Sequence, residues 1–248
     1  MEGEANIMVH RFKMGSLYLD DEPVNLGIEY QPGQTISLGE AVSDKEISWV
    51  PANGLLIADR CLLTRISWND LNDQGLVFGR EIELHGFKFR ARLLKVGSEE
   101  GIPNEWDTAL DTVGDSDDLW HWGGMFFWGQ EETKIASSHA SRGYDSARNW
   151  RWDYSSYRVA GLLGFRPALE PLPTDPSALR HGKEILVIGR DGAVMGNLVD
   201  ATAYDLVIQP KPDGVVGKNT FAANMRDGTI AVDQQGIFSI ATTPSLTK

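Results

Sequence analysis

The stretch 81-EIELHGFKFRARLLKV-96 decides the fold, because it reads as two short β-strands joined by a turn. Ile82 and Leu84 alternate with charged residues in the first run, and apolar residues alternate in the same way from Phe87 to Leu93. A period of two places apolar side chains on one face of a strand. His85-Gly86 supplies the turn between the two runs. We therefore predict a β-hairpin within a strand-rich N-terminal part of the chain.

Upstream of this hairpin the sequence also predicts strands and turns. The mostly apolar run from Leu55 to Leu63 predicts one buried strand, which follows a turn at residues 51–54. Residues 65–68 read as a further strand. Residues 70–81 have the oxygen-ligand spacing of a calcium loop, but strands rather than helices are predicted on both flanks. We therefore predict a polar loop without calcium at this position.

The sequence changes character after the hairpin. Asn104 is a suitable N-cap for a short helix. Three apolar residues are spaced to form the buried stripe of that helix: Trp106, Leu110 and Val113. Residues 99–118 contain eight acids and no base, and six of the eight tryptophans lie in residues 106–152. We predict few helices and a tryptophan-dense middle region that is acidic at its start.

The segment 142-RGYDSARNWRW-152 is the strongest candidate for a functional surface. This segment is the first part of residues 142–166, which contain five arginines and two aspartates. Their local charge is +3, in a chain of net charge -12. Planar cations beside aromatic rings suit anionic, sugar or base-like ligands. The predicted ligand-binding residues are Arg142, Tyr144, Arg148, Trp150, Arg151 and Trp152. The alternative is that the arginines neutralise the acids of residues 99–118 within the same fold.

Composition disfavours several classes of partner. The balance of 35 Asp and Glu against 23 Lys and Arg argues against duplex nucleic acid. No apolar run approaches the roughly 18 residues that span a bilayer, and the first residues lack the features of a signal peptide. Cys61 is the only cysteine, which excludes an intrachain disulfide. We expect no membrane partner and a cytoplasmic protein, or a virion part made in a cytoplasm.

No motif for a cofactor, a metal or catalysis is convincing. Residues 214–220 lack the first glycine of a phosphate-binding loop, and the five histidines form no short zinc-binding pair. A Gly-x-Ser-x-Gly elbow is absent. We therefore expect no cofactor, no metal and no enzymatic activity. Glu105 and Asp107 leave one enzymatic alternative, as an acid and a base acting on a sugar or a nucleotide.

The C-terminal part begins after a proline-rich break. Three prolines within residues 171–176 disfavour helix and predict a linker over residues 173–183, in which Asp175-Pro176 can start a single helical turn. Short strands separated by Asp-Gly turns follow at residues 184–190, 193–199, 204–209 and 237–240. We therefore predict a first domain over residues 1–172 and a small β-rich module over residues 184–248.

Six short strings carry a resemblance to known proteins: Ile102-Pro-Asn-Glu-Trp-Asp107, Leu119-Trp-His-Trp122, Trp128-Gly-Gln-Glu131, Arg142-Gly143, Ala147-Arg-Asn-Trp150 and Gly164-Phe-Arg-Pro-Ala-Leu-Glu-Pro171. Over approximately residues 45–172 the chain resembles a group of uncharacterised tryptophan-rich proteins of Gram-positive bacteria and their phages. The Gly-Phe-Arg ending also looks like the close of the C-type lectin-like fold, as used by formylglycine-generating enzymes and by variable ligand-binding proteins of phages. The resemblance implies an α+β fold, in which a C-type lectin-like domain with long loops precedes a small β-rich C-terminal module.

The same resemblance implies a function in binding. Formylglycine-generating enzymes use cysteines near the end of the fold, whereas Cys61 lies far upstream, so their activity is not implied. Calcium-dependent lectins place a Trp-Asn-Asp triplet late, whereas residues 68–70 here precede the Pro-Asn-Glu of residues 103–105. What remains is a non-enzymatic ligand- or partner-binding protein, such as a phage or prophage virion, tail or host-recognition component.

Several partners fit this interpretation. The expected partners are further copies of the chain in a homo-oligomer, other virion proteins, a host-surface glycan or protein, or a small anionic ligand. Arginine for phosphate and aromatic rings for base stacking support an alternative, in which a phage immune-evasion protein sequesters a nucleotide signal.

Overall fold

The computed structural model describes residues 11–174 and 179–243, and strands dominate both parts. The elements in chain order are β1 (Phe12–Leu19), β2 (Glu22–Pro23), β3 (Ile28–Glu29), β4 (Ile36–Gly39), β5 (Glu46–Ala52), β6 (Leu55–Ala58), β7 (Leu63–Thr64), α1 (Trp68–Asp73), β8 (Arg80–Leu84), β9 (Phe87–Leu93), α2 (Glu105–Val113), α3 (Asp117–Trp120), β10 (Phe126–Glu132), β11 (Ser138–Gly143), β12 (Trp150–Ser155), β13 (Leu163–Phe165), β14 (Pro167–Pro171), β15 (Glu184–Ile188), β16 (Gly192–Ala201), β17 (Asp205–Gly217), β18 (Ala222–Asn224), β19 (Ile230–Asp233) and β20 (Ser239–Thr242). The fold is therefore β-rich with few helices, as predicted.

The first sheet contains the predicted hairpin. Its order is β2-β1-β5-β6-β14-β9-β8, and β4 also pairs with β1. In the hairpin Leu84 pairs with Phe87, and both His85 and Gly86 have positive φ, as a tight two-residue turn requires. The sheet curls until β8 approaches β4, where the Arg80 guanidinium donates to the carbonyl of Ile36. The hairpin prediction is confirmed.

The second sheet has the order β12-β11-β10-β13-β7-β3. The chain passes from the first sheet to the second between β6 and β7. The prediction of one strand over residues 55–63 is wrong, because β6 ends at Ala58 in the first sheet and β7 begins at Leu63 in the second. The buried Arg166 guanidinium donates to the carbonyls of Ala58 and Asp59 at this crossing. These bonds satisfy backbone groups that leave the first sheet there.

The strand predicted for residues 65–68 is wrong, because residues 65–67 belong to no strand and helix α1 begins at Trp68. Ser67 caps this helix: its hydroxyl accepts from the Asp70 amide, and the Asp70 carboxylate accepts from the Ser67 amide. Such a capping box satisfies the free amides of a first helical turn and so favours helix over strand. Asp70, the first residue of the calcium-like spacing, is therefore used in local capping.

Helix α2 confirms the prediction made for residues 104–113. The Asn104 side chain accepts a hydrogen bond from the amide of Asp107, as an N-cap does. Trp106 and Leu110 are buried, whereas Val113 is only partly buried. Asp107 and Asp111 lie outside the buried stripe and pair with Arg142 of β11 and with Arg148 of the following loop, whereas Glu105 pairs with Arg92 of β9.

The third sheet is formed by residues 184–242, in the order β18-β19-β17-β16-β15-β20. The four stretches read as strands correspond to β15, β16, β17 and β20, while β18 and β19 were not predicted. Ile185 and Val187 belong to a core within this sheet's own part of the chain, whereas Leu186 and Ile188 join the core of the first sheet. The helical turn predicted at Asp175-Pro176 lies outside the described residues.

Candidate functional site

Arg142 lies in the interior, although it was predicted to bind a ligand. Its side chain is almost fully buried in β11 and donates to the carbonyls of Val96 and Arg148. It also pairs with Asp107 of α2, with 2.6 Å between guanidinium nitrogen and carboxylate oxygen. Because these partners engage all three guanidinium nitrogens, Arg142 holds α2 against β11 rather than facing a ligand.

Arg148 lies at the surface and also serves α2. Its guanidinium lies 2.7 Å from a carboxylate oxygen of Asp111, and 3.7 and 3.8 Å from those of Asp115 and Asp107. The hydrogen bond that Arg148 donates to Asp111 is the main cause that raises the pKa of Arg148 above its ordinary value. For Arg142 and Arg148 the structure therefore supports the alternative that arginines neutralise the acids of residues 99–118.

Trp150 and Trp152 occupy the outer strand of the second sheet. Their rings stack with centroids 6.0 Å apart and an angle of 19° between planes. The Trp150 indole donates to the carbonyl of Gly97, which fixes one ring, while Trp152 is 50% exposed. The pairing of β12 with β11 shifts register between His139 and Ser141, so β12 is bulged beside Trp152. A bulge at a sheet edge re-aims side chains, here toward solvent.

Arg151 lies beside a group of aromatic rings on the same strand. Its guanidinium is 4.8 Å from the ring centre of Tyr154 and 5.9 Å from that of Phe126. Asp153 accepts hydrogen bonds from two of its nitrogens, at 2.6 and 3.1 Å. This contact is the main cause that lowers the pKa of Asp153 below its ordinary range. The charge of Arg151 is thus largely matched by its neighbour.

Tyr144 completes the aromatic group from the preceding turn. It has a left-handed backbone, with φ of 78°, and its ring stacks on Phe126 with centroids 5.1 Å apart. A positive φ is uncommon for a residue with a bulky side chain. The Tyr144 amide hydrogen bonds with the carbonyls of Trp122 and Met125, which hold this conformation.

A depression of about 410 Å³ lies along β12, and we call it the β12 depression. Its lining residues are Phe126, Tyr144, Asp145, Asn149, Trp150, Arg151, Trp152, Asp153, Tyr154 and Leu162. The Arg151 side chain lies on the face of β12 that packs on Phe126 and Tyr154, whereas the Trp150 indole lies toward Gly97.

Four of the six predicted site residues line the β12 depression, whereas Arg142 and Arg148 do not. Two carboxylates and one guanidinium give its lining a formal charge of -1. The depression offers aromatic faces and hydrogen-bonding groups without an excess of positive charge.

Several lining residues were missed at the level of sequence. Asp145, Asn149 and Asp153 lie within or beside the predicted segment and were passed over because arginine and tryptophan dominated the pattern. Leu162 lies outside the predicted segment. It is placed in the lining because its carbonyl accepts a hydrogen bond from the Phe126 amide, next to the parallel pairing of β10 with β13. No local sequence signal predicts such a pairing.

The carboxylates of the enzymatic alternative are engaged in ion pairs. Both oxygens of Glu105 accept from the Arg92 guanidinium, each at 2.8 Å, and Asp107 accepts from Arg142. The oxygens that would exchange a proton with a substrate are therefore occupied by guanidinium groups of the same fold. These contacts do not favour acid and base catalysis by this pair.

Arg166, the arginine of the Gly-Phe-Arg ending, is fully buried. Besides its bonds at the crossing of the two sheets, it donates to the carbonyl of Trp120 at 2.6 Å and lies over the rings of Trp106 and Phe127. Burial raises the pKa of the nearby Cys61 thiol to about 11, so this cysteine stays protonated. Both residues therefore belong to the core.

Within residues 11–174 and 179–243, no group of three or more acidic, histidine or cysteine side chains is arranged to hold a metal ion. No helix in the same ranges is long and apolar enough to cross a membrane. Comparison with protein-family models, with curated proteins and with solved structures finds no match to this chain. The β12 depression is therefore the feature of the molecule from which we infer a function.

Proposed function

We propose that the protein is a non-enzymatic ligand- or partner-binding protein and that the β12 depression is its binding surface. The observation that carries the proposal is the stacked pair of Trp150, which is partly buried, and Trp152, which is half exposed, on the strand that lines the β12 depression. Buried tryptophans are explained by the core, whereas an aromatic ring left exposed on an outer strand is available to a ligand or a partner. Binding sites commonly combine aromatic walls with a few polar groups that fix orientation.

The ligand class that fits best is a neutral, ring-shaped polar molecule, such as a sugar unit of a surface glycan. Aromatic faces accept the apolar face of a ring, while Asn149, Arg151 and Asp153 offer hydrogen bonds at the rim. A nucleotide or another strong anion fits less well, because Arg142 and Arg148 are engaged with α2 and Arg151 is paired with Asp153. The formal charge of the lining also opposes an anion.

A C-type lectin-like arrangement of the first two sheets belongs to the same proposal. The few helices, the loop-rich second sheet and the terminal Gly-Phe-Arg strand support it. Loops that a rigid sheet positions are a common way to build a recognition surface. In this proposal the chain acts as a phage or prophage virion, tail or host-recognition component, assembled as a homo-oligomer or with other virion proteins.

A glycan array tests the proposal directly. Wild-type protein is applied beside Trp152→Ala and beside Tyr204→Ala, which removes a 76% exposed aromatic residue from the third sheet. We expect wild type and Tyr204→Ala to bind the same glycans and Trp152→Ala to lose them, with all three proteins melting at similar temperatures. Glycan binding that survives Trp152→Ala argues against the β12 depression.

A second experiment tests whether the ligand is a nucleotide instead of a sugar. Thermal unfolding is followed with a panel of cyclic nucleotides, because a ligand that binds only the folded state raises the melting temperature. We expect no shift. A shift that disappears in Arg151→Ala, together with an empty glycan array, replaces the sugar ligand with a nucleotide.

A further inference from the structure

A second cavity, of about 1060 Å³, lies between the first sheet and the third. One wall is formed by residues 97–105, a second by the β5–β6 turn and the end of β14, and a third by residues 237–240. Ligand sites often lie between packed units of a fold, and they commonly enclose about 300–1,000 Å³. We call this cavity the inter-sheet cleft. It shares no lining residue with the β12 depression.

Main-chain hydrogen bonds fix the shape of the inter-sheet cleft. The amides of Asn53 and Gly54 donate to the carbonyls of Arg190 and Gly189, and the Ser239 hydroxyl donates to the carbonyl of Gly54. Gly54 has positive φ, and a Cβ at this position would lie 2.8 Å from the Cβ of Phe238. The wall that carries Phe238 is therefore held against the β5–β6 turn, and the cleft is preformed.

Apolar side chains line the mouth of the cleft from two different walls. Ile102 is 40% exposed and Phe238 is 58% exposed, although both are large apolar residues. Leu55, Leu179 and Ile240 continue the apolar lining. An apolar lining of this extent binds an apolar group more strongly than it binds water.

The polar part of the cleft has an excess of negative charge. Its charged residues are Arg92, Lys95, Glu105, Glu131 and Glu170, a formal sum of -1. Arg92 is almost fully buried and is already matched by Glu105 and Glu170, at 2.8 and 2.9 Å. One Glu131 oxygen accepts from the Val96 amide, and among the described residues this carboxylate has no ion pair within 4 Å, although it acts on Arg142 from a longer distance. Charge complementarity therefore favours a cationic group near Glu131.

We propose that the inter-sheet cleft binds a short peptide segment in which apolar side chains stand beside a lysine or arginine. The apolar mouth takes the apolar side chains, and the carboxylates take the cation. The volume of the cleft, at the upper end of the range for small-molecule sites, suits a segment with several side chains better than a single small amine. This site is independent of the proposed function of the β12 depression.

The test uses the full chain and the peptide acetyl-Leu-Lys-Leu-Lys-amide, followed by two-dimensional amide NMR and by calorimetry. The matched anion is acetyl-Leu-Glu-Leu-Glu-amide, and 4-phenylbutylamine represents a small organic cation. Three variants are compared with wild type: Phe238→Ala for the mouth, Glu131→Gln for the charge, and Trp152→Ala as a control in the β12 depression. Glu131→Gln keeps an oxygen that can accept from the Val96 amide.

We expect the lysine peptide to shift the amides of Gly54, Gly97 and Phe238 and to bind more tightly than either other probe. Phe238→Ala should weaken binding about tenfold, as the loss of one buried apolar side chain does. Glu131→Gln should weaken it about threefold, as an exposed ion pair does. Trp152→Ala should leave it unchanged.

Three results overturn the proposal: equal binding of the glutamate peptide, tighter binding of the small amine, or shifts confined to other parts of the chain. Failure of the glycan array counts against the β12 depression alone, because the two sites share no lining residue. Failure of the lysine peptide to bind counts against the inter-sheet cleft alone, for the same reason.

Discussion

The two halves of the segment 142–154 both combine arginine, aspartate and aromatic residues, but their environments differ. In the first half Arg142 and Arg148 bind the acids of α2, and the guanidinium of Arg142 is almost fully buried. In the second half Arg151 binds a neighbour two residues away, and Trp152 is half exposed. The difference follows from position, because β11 is an inner strand that faces α2, whereas β12 is the outer strand of the same sheet.

This comparison shows why residue type alone did not identify the binding surface. An arginine beside aromatic residues serves a ligand or the core equally well, and the partner is decided by distant elements. Here α2 supplies carboxylates to Arg142 and Arg148, while nothing in the described ranges covers the exposed part of Trp152. Arg142 and Arg148 are therefore structural, whereas the second half, together with Tyr144, forms the surface that we propose for binding.

Arg142→Ala should have the largest effect of the substitutions in this segment, and the effect should be a loss of stability. Removal of the guanidinium leaves the Asp107 carboxylate with Arg148, 3.8 Å away, as its cation, and removes the donor to the carbonyls of Val96 and Arg148. We expect the free energy of unfolding to fall by about 3–5 kcal/mol, as happens when one member of a buried ion pair is removed. Urea unfolding followed by fluorescence measures it.

The matched control for that variant is Arg151→Ala, in the second half of the same segment. Its ion pair with Asp153 is solvent-exposed, so the expected loss is under about 1 kcal/mol. Equal losses in the two variants would mean that the two halves do not differ.

A smaller effect is expected from Asn104→Ala, which weakens the helix that Arg142 and Arg148 hold. The Asn104 side chain accepts from the Asp107 amide, and its nitrogen donates to the Asp107 carboxylate at 2.6 Å. We expect a loss of about 1 kcal/mol, as for other N-cap residues. Thermal unfolding of this variant beside Thr112→Ala, near the other end of α2, separates the cap from a general effect on the helix.

Arg148→Ala should have a still smaller effect that depends on salt. Two of its three carboxylate partners, Asp111 and Asp115, are on the surface, so we expect a loss of about 0.2–1 kcal/mol at low ionic strength. The loss should shrink at 1 M salt, where the screening length is about 3 Å. Urea unfolding at two salt concentrations is sufficient. A loss that does not change with salt would contradict surface ion pairing.

The smallest effect concerns the titration of Asp153. Its pKa is lowered in the folded chain, so the contact stabilises the fold above the ordinary carboxyl pKa and is lost as the pH falls through the folded value. Arg151→Ala should raise the pKa of Asp153 toward its ordinary range. Carboxyl-carbon NMR measures the change, and an unchanged pKa would show that Arg151 does not contact Asp153.

Local signals predicted the parts of the fold that local chemistry decides. The β8–β9 hairpin follows from alternation and a His-Gly turn, and α2 follows from the Asn104 cap and its apolar stripe. The division of residues 55–63 between two sheets was not predictable, because it depends on the carbonyl contacts of Arg166, about a hundred residues away. Helix α1 was missed because the Ser67–Asp70 capping box was passed over.

The candidate site divides in the same way. Tyr144, Trp150, Arg151 and Trp152 were predicted from the density of arginine and aromatic residues, whereas Phe126 and Leu162 depend on the register of β10 and β13. Arg142 was assigned to a ligand because the sequence does not reveal that α2 packs beside β11. The inter-sheet cleft was not predicted at all, since its walls come from four distant parts of the chain.

Fluorine NMR of protein labelled with 5-fluorotryptophan tests the central claim most directly. The eight tryptophan signals are assigned by single substitutions, and the protein is titrated with the oligosaccharide that binds best on the array. We predict that the signals of Trp150 and Trp152 move, while those of the fully buried Trp106, Trp120 and Trp128 stay in place. Movement of the buried signals with Trp150 and Trp152 unchanged would contradict the assignment of the second half of the segment to binding.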